Sequence, residues 1–174
     1  MTTMQLLKSI PLLLALFCFS LGSAGAQGRK KADEFPAWKY ELEASGTGIQ
    51  GTYQVKVWSY TRNPEDAQEL AMKNAVHGII FKGFPDNGRI KGQRPLAQNP
   101  NLELEQAPFF TEFFKAGGRY RKFVGLADNA SIGPGDRIQV GKEYKIALTV
   151  SVQVSALRKE LEDAGIIKSL TSGF

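Results

Sequence analysis

From Trp38 to Ala44 the chain alternates strictly: Trp38, Tyr40, Leu42 and Ala44 fall on one side, and Lys39, Glu41 and Glu43 on the other. A period of two sends successive side chains to opposite faces of an extended backbone, so this segment predicts a half-buried strand. The alternation resumes with Tyr53, Val55 and Val57 against Gln54 and Lys56. Ser45-Gly46-Thr47-Gly48-Ile49-Gln50-Gly51 between them is turn-forming, so the two strands predict a hairpin. The longest alternation is Tyr144, Ile146, Leu148, Val150, Val152 and Val154 against Lys145, Thr149, Ser151 and Gln153. It predicts the central strand. Tyr120 to Leu126 predicts another strand with Gly125 marking a bulge. Ile138 to Val140 predicts a short one after the Gly133-Pro134-Gly135-Asp136 turn.

Helical spacing fills the gaps. Asn63-Pro64-Glu65-Asp66 combines a cap, a first-turn proline and acids that favour the positive end of the helix dipole. Ala67, Leu70, Ala71, Val76 and Ile79 follow at near-helical intervals, while Gly78 leaves Ile79 to Phe81 open to either helix or extended chain. Phe109, Phe110, Phe113 and Phe114 predict a second helix ending at Gly117-Gly118, and a third starts at Ser155, buries Leu157 and Leu161, and stops at Gly165. The order ββα, loop, αββ, α predicts an α+β fold. An antiparallel sheet of four or so strands carries helices on one face, in two layers. Residues 84–106 (FPDNGRIKGQRPLAQNPNLELEQ) carry no periodicity, and Pro85, Pro95 and Pro100 interrupt them. A loop of that length is either solvated or functional, and Arg89, Lys91 and Arg94 make it basic.

The N-terminal 26 residues change the picture. Lys8 precedes an apolar run from Ile10 to Phe19, and Ala24-Gly25-Ala26 presents small residues at the positions a signal peptidase reads. The expected organisation is a signal peptide over 1–26, a polar spacer over 27–36, and one α+β domain over 37–174. The apolar run is about half of the ~20 residues a membrane-spanning helix needs, so no transmembrane segment is expected after cleavage. Phe17 before Cys18, in the middle of the run, does not fit a lipobox. Cys18 is the only cysteine, so the processed chain would hold no disulfide, thiolate ligand or cysteine nucleophile. The net charge of +5 falls by one with Lys8, a mild excess that fits solubility or acidic envelope partners rather than nucleic acid.

Gly46-Thr47-Gly48-Ile49-Gln50-Gly51 spells G-x-G-x-x-G. A dinucleotide fingerprint needs a helix after it, whereas Thr52-Tyr53-Gln54-Val55 is strand-forming, so a glycine turn explains the residues. His77, the only histidine, has apolar neighbours and reads as structural. Without a second histidine or a cysteine, no zinc site and no cofactor are expected. Glu103, Glu105, Glu112, Glu160, Glu162 and Asp163 read as solvated carboxylates, so no enzyme is expected. Trp58 and Tyr60 fall opposite Tyr53, Val55 and Val57. They stand either exposed as a binding surface or inward through a register flip.

The strings Asn74-Ala75-Val76-His77-Gly78-Ile79-Ile80-Phe81-Lys82-Gly83-Phe84 and Leu157-Arg158-Lys159-Glu160-Leu161-Glu162-Asp163-Ala164-Gly165-Ile166-Ile167-Lys168, with the G-T-G-x-x-G-T-Y turn, resemble a family of small exported bacterial proteins with no assigned activity. The order of strand, alanine-rich helix and long strands more distantly resembles LPP20-like and flagellar P-ring-associated periplasmic modules. Neither resemblance carries catalytic residues.

The expectation is therefore a non-enzymatic protein in the periplasm or at the surface of a bacterium, where it binds or helps assemble another envelope protein. Trp58, Tyr60, Arg89, Lys91 and Arg94 are its binding residues. The alternatives are a carrier of an acidic glycan or lipid headgroup, and a hydrolase using paired carboxylates. The sequence sets no oligomeric state.

Overall fold

The structure, a computed structural model, describes residues 37–48, 51–88, 90–128 and 130–169. The expected signal peptide, the spacer and Arg89 lie outside the described residues. The fold is α+β: an antiparallel sheet curled as a half-barrel, with helices.

Strands β1 (Tyr40–Thr47) and β2 (Thr52–Thr61) form the expected hairpin, with Leu42 opposite Val57 and Ala44 opposite Val55. The register slips between Ala44 and Gly46, so the bulge sits here. A 3-10 turn at Pro64–Asp66, capped by the Asn63 side chain, leads into α1 (Ala67–Phe81). After the long connection come α2 (Leu102–Glu105) and α3 (Ala107–Phe114). Three strands follow: β3 (Val124–Leu126), β4 (Arg137–Val140) and β5 (Glu143–Gln153). Strand β5 runs straight into α4 (Val154–Asp163), so Val154 opens the helix rather than closing the strand. The sheet order is β1-β2-β5-β3, with β4 also on β5, all antiparallel. The longest strand is therefore central, as its alternation predicts.

Helix α1 packs on β2 and β5. Ala67, Ala71, Ala75, Val76, Ile79 and Ile80 are all buried, so the helix presents a broad apolar face to the core, while Gln68 stays exposed. Gly78 does not end it. A Cβ there would lie 2.2 Å from Leu42 Cδ1 and 3.1 Å from Tyr40 Cε2, so the missing side chain lets the helix approach β1. The helix stops at Gly83, whose positive φ of 67° and N–H bond to the Gly78 carbonyl (2.7 Å) close the last turn.

Two segments depart from the sequence pattern. Arg119–Phe123 is a 3-10 turn, and only Val124–Leu126 pairs as a strand. Tyr120 and Phe123, three apart, are both buried, which is the spacing that a 3-10 turn brings to one side. Gly125 pairs in register with Ser151, without a bulge.

Residues 84–106 are anchored rather than solvated throughout. Bridges Phe84↔Gln93 and Asn87↔Ile90 fold the first part back on itself. The Leu96 and Ala97 N–H groups donate to the Ile79 and Ile80 carbonyls (3.1 and 2.8 Å). Those carbonyls belong to the last turn of α1 and lack helical partners. Leu96, Ala97 and Leu102 are buried in the core. No helix among the described residues is long and apolar enough to cross a membrane.

Candidate functional site

Alternation in β2 buries Val55, Val57, Ser59 and Thr61 and turns Lys56, Trp58 and Tyr60 to the outer face. No register flip intervenes, since β2 pairs with β5 without a break from Thr52 to Thr61. Glu41 and Glu43 of β1 face the same way as Trp58 and Lys56, their pairing partners. Lys145 lies opposite Tyr60, and Ile138 opposite Lys145, so the outer row continues onto β4.

These side chains are tied together. Trp58 Nε1–H donates to Glu43 at 3.0 Å and the Tyr60 hydroxyl to Glu41 at 3.3 Å. Lys145 Nζ donates to both Glu41 oxygens, at 2.8 and 2.9 Å. Lys39 pairs with Glu143 (2.8 Å) and Lys56 with Asp136 (2.7 Å). The ammonium groups of Lys56 and Lys145 stand 5.1 and 5.0 Å from the Trp58 ring centroid, and Lys39 stands 4.2 Å from that of Tyr60. The Lys145 hydrogen bond holds the Glu41 carboxyl below its usual range, and the same bond raises the lysine. Ile138 and Val140 are each 46 % exposed. The outer face thus carries two aromatics on β2 and two aliphatic side chains on β4, with the ion-paired Lys145 and Glu143 of β5 between them.

The remaining predicted residues lie elsewhere. Lys91 is exposed, 3.8 Å from Asp86, and Arg94 is exposed on the same loop. That loop is pinned by the Asn87 side chain to the Ala44 carbonyl (2.9 Å) and by Phe84 against Tyr53. Tyr53 points inward at the far end of β2 from Tyr60, seven residues away at roughly 3.3 Å each. Among the described residues no hydrogen bond, ion pair or ring contact joins Lys91 or Arg94 to Trp58 or Tyr60. The glycine turn is followed by β2, not by a helix, and Gly51 takes a φ of 83° in it.

A second polar constellation is legible only in three dimensions. On α1, Asn74, His77, Gly78 and Phe81 form one stripe facing β1 and its flanks. Asn74 Nδ2 donates to Ser59 Oγ at 2.9 Å, and His77 is 3 % exposed. Tyr40 Oη lies 2.5 Å from His77 Nδ1, and His77 Nε2 lies 3.2 Å from Glu103 Oε2. Trp38 Nε1–H donates to the other Glu103 oxygen at 2.9 Å, and its ring stacks on the imidazole with centroids 3.7 Å apart. Phe81 and Phe114 close the remaining sides. A carboxylate accepts, so Nε2 carries the proton and Nδ1 accepts from the Tyr40 hydroxyl, the tautomer of a neutral imidazole.

Burial sets the electrostatics here. It lowers the His77 pKa against the opposing pull of Glu103, and it pushes the Tyr40 phenol far above its usual range. It also lowers Lys73 and Lys82, whose ammonium groups lie 5.4 Å from the Trp38 ring and 3.8 Å from the Tyr40 ring.

The order hydroxyl, imidazole, carboxylate superficially suits nucleophile activation, but a usable nucleophile needs access to its substrate. Tyr40 is 7 % exposed, and its hydroxyl is held against His77 Nδ1 inside the cluster. Glu103 thereby corrects the expectation of a solvated carboxylate: its side chain is 16 % exposed and both oxygens are bonded. The available signal was Trp38 and Tyr40 on the apolar side of one alternation, together with His77 as the sole histidine in the chain. Among the described residues, no three His, Cys, Asp or Glu side chains gather as a metal site.

No protein-family model matches this chain, and comparisons with curated proteins and with solved structures also return no match.

Proposed function

We propose that this chain is a non-enzymatic, exported bacterial envelope protein that binds another envelope protein through the outer face of its sheet. The observation that carries this reading is the group of Trp58, Tyr60, Ile138 and Val140, partly exposed on one face of the sheet and interleaved with Lys39, Lys56, Lys145, Glu41 and Glu43. Protein interfaces combine an aromatic and aliphatic centre with a charged rim, and Trp and Tyr are the residues that most often dominate their energy. The lysine–carboxylate pairs on this face are solvent-exposed, so exchanging them for partner contacts costs about 0–1 kcal/mol each. The signal-peptide pattern of residues 1–26 supports the compartment. Lys91 and Arg94 belong to a separate loop and make a second, electrostatic contact with an extended partner.

The test is crosslinking in intact cells from a photoreactive residue at position 58, with position 122, on the 3-10 turn, as control. One dominant envelope protein captured from position 58 and not from 122 is the expected result. Equal or absent capture from the two, with the protein folded and abundant, overturns the reading.

A further inference from the structure

Between the anchored loop and the segment after α4 lies a cleft of about 630 Å³, within the size range of small-molecule sites. Its two halves differ. The floor is apolar: Leu96 and Leu102 are core residues, and Ile166 and Ile167 pack partly buried against the same core. The rim is cationic, with Arg158 from α4 and Lys168 beyond it. Arg158 reaches its one acidic neighbour, Glu162, only at 3.6 Å, too long for a charge-assisted hydrogen bond. Lys168 is exposed and has no acidic partner among the described residues. Three lysines elsewhere, Lys56, Lys115 and Lys145, sit at 2.6–2.8 Å from carboxylates, while the exposed Lys91 lies 3.8 Å from Asp86. The cleft therefore joins under-paired positive charge to a strip of aliphatic surface.

We propose that this cleft binds an amphipathic anion: a single acyl chain lying on Leu96, Leu102, Ile166 and Ile167, with its carboxylate or phosphate head held by Arg158 and Lys168. Gln98, on the rim, supplies an uncharged donor beside the head. The site is separate from the outer sheet face, and neither proposal depends on the other. A neutral glycan would leave both cations unused, and an alkyl cation would meet like charge. A short anion would lose the apolar floor.

The experiment is titration of the full chain with octanoate, decanoate and dodecanoate below their micellar concentrations, followed by calorimetry and amide NMR. Dodecyl phosphate separates a phosphate head from a carboxylate, and dodecyltrimethylammonium reverses the charge. The expected result is one-to-one binding that strengthens with chain length, by up to about fourfold for each methylene buried. Amide shifts should be confined to residues 95–102 and 158–169. The Arg158→Ala, Lys168→Ala double variant should bind dodecanoate at least tenfold more weakly, and Lys168→Ala alone should weaken it severalfold with an unchanged melting temperature, since Arg158 also faces the largely buried Glu162. Ile166→Lys should weaken the apolar chain but not inorganic phosphate. Equal binding of the alkyl cation, dodecanoate affinity unchanged in the double variant, or amide shifts centred elsewhere would overturn the proposal. Binding that emerges only after residues 170–174 are deleted would also overturn it, by giving the cleft to the chain's own terminus.

Discussion

Trp38 and Trp58 sit in chemically similar places and have different consequences. Each donates its indole N–H to a glutamate, Trp38 to Glu103 at 2.9 Å and Trp58 to Glu43 at 3.0 Å. Each has a lysine ammonium over its ring, and each has a tyrosine of the sheet nearby. The difference is water. Trp38 stacks on His77 under Phe81 and Phe114, where every polar atom of the cluster depends on another. Trp58 lies on the outer face, where solvent replaces any bond that breaks. The same hydrogen bond is therefore worth little on one side of the sheet and a great deal on the other. The inner cluster fixes the entry of the chain, α1 and α2 against β1. The outer face is free to exchange its bonds with a partner.

Removing the imidazole tests the inner side most severely. His77→Ala leaves Glu103 without one bond, Tyr40 without its acceptor and a void beneath Trp38. We expect a loss of about 3–5 kcal/mol in urea unfolding, the scale of emptying a packed aromatic site and leaving two buried polar groups unpaired. Tyr40→Phe removes one hydroxyl and leaves Nδ1 unpaired, so the expected loss is smaller, about 1–2 kcal/mol.

The inner cluster should also make stability depend on pH. The His77 pKa is lowered by burial from its ordinary 6.5, so the unfolded chain binds the proton more readily than the folded one. Its contribution is complete above that value and is lost as pH falls through it toward the lowered folded value. The urea midpoint should fall from about pH 7.5 to pH 5, and His77→Gln should flatten the part due to this residue. As the chain has one histidine, its imidazole NMR signals report the titration directly. A folded pKa above the ordinary value would mean that Glu103 outweighs burial. It would reverse the sign of the dependence.

On the outer side the expected effects are the smallest. Lys145→Ala removes the bond to Glu41, and its side chain is 21 % exposed against 54 % for the glutamate. The loss should stay within about 0.5 kcal/mol and vanish at high salt. A larger loss would show that the outer lattice holds the sheet together.

The strands and helices built on side-chain period were legible in the sequence. Strand β5 keeps its alternation over its length except at the small, buried Ala147, so both its position and its inward face follow from Ile146, Leu148, Val150 and Val152. Helix α3 follows from the four phenylalanines. Segments held by backbone bonds were not legible, because a carbonyl leaves no trace in residue identity. Leu96 and Ala97 are ordered by the Ile79 and Ile80 carbonyls and carry no period of their own. Tyr120 and Phe123 satisfy an apolar strand and a 3-10 turn alike, and burial of both decides for the turn. Of the site, Trp58 and Tyr60 were visible as aromatics on the polar side of an alternation. Glu103 was not, because its partner His77 lies 26 residues away and Trp38 lies 65 away.

One double variant separates binding at the outer face from support of the fold. Trp58→Ala, Tyr60→Ala is to be expressed in intact cells, with photocrosslinking from position 138 on the same face and thermal melting of the purified protein. The expected result is loss of the captured envelope protein, with a melting temperature within about 4 °C of the parent, the shift expected for roughly 1 kcal/mol. Undiminished capture, or a melting temperature lowered as far as in His77→Ala, would contradict it.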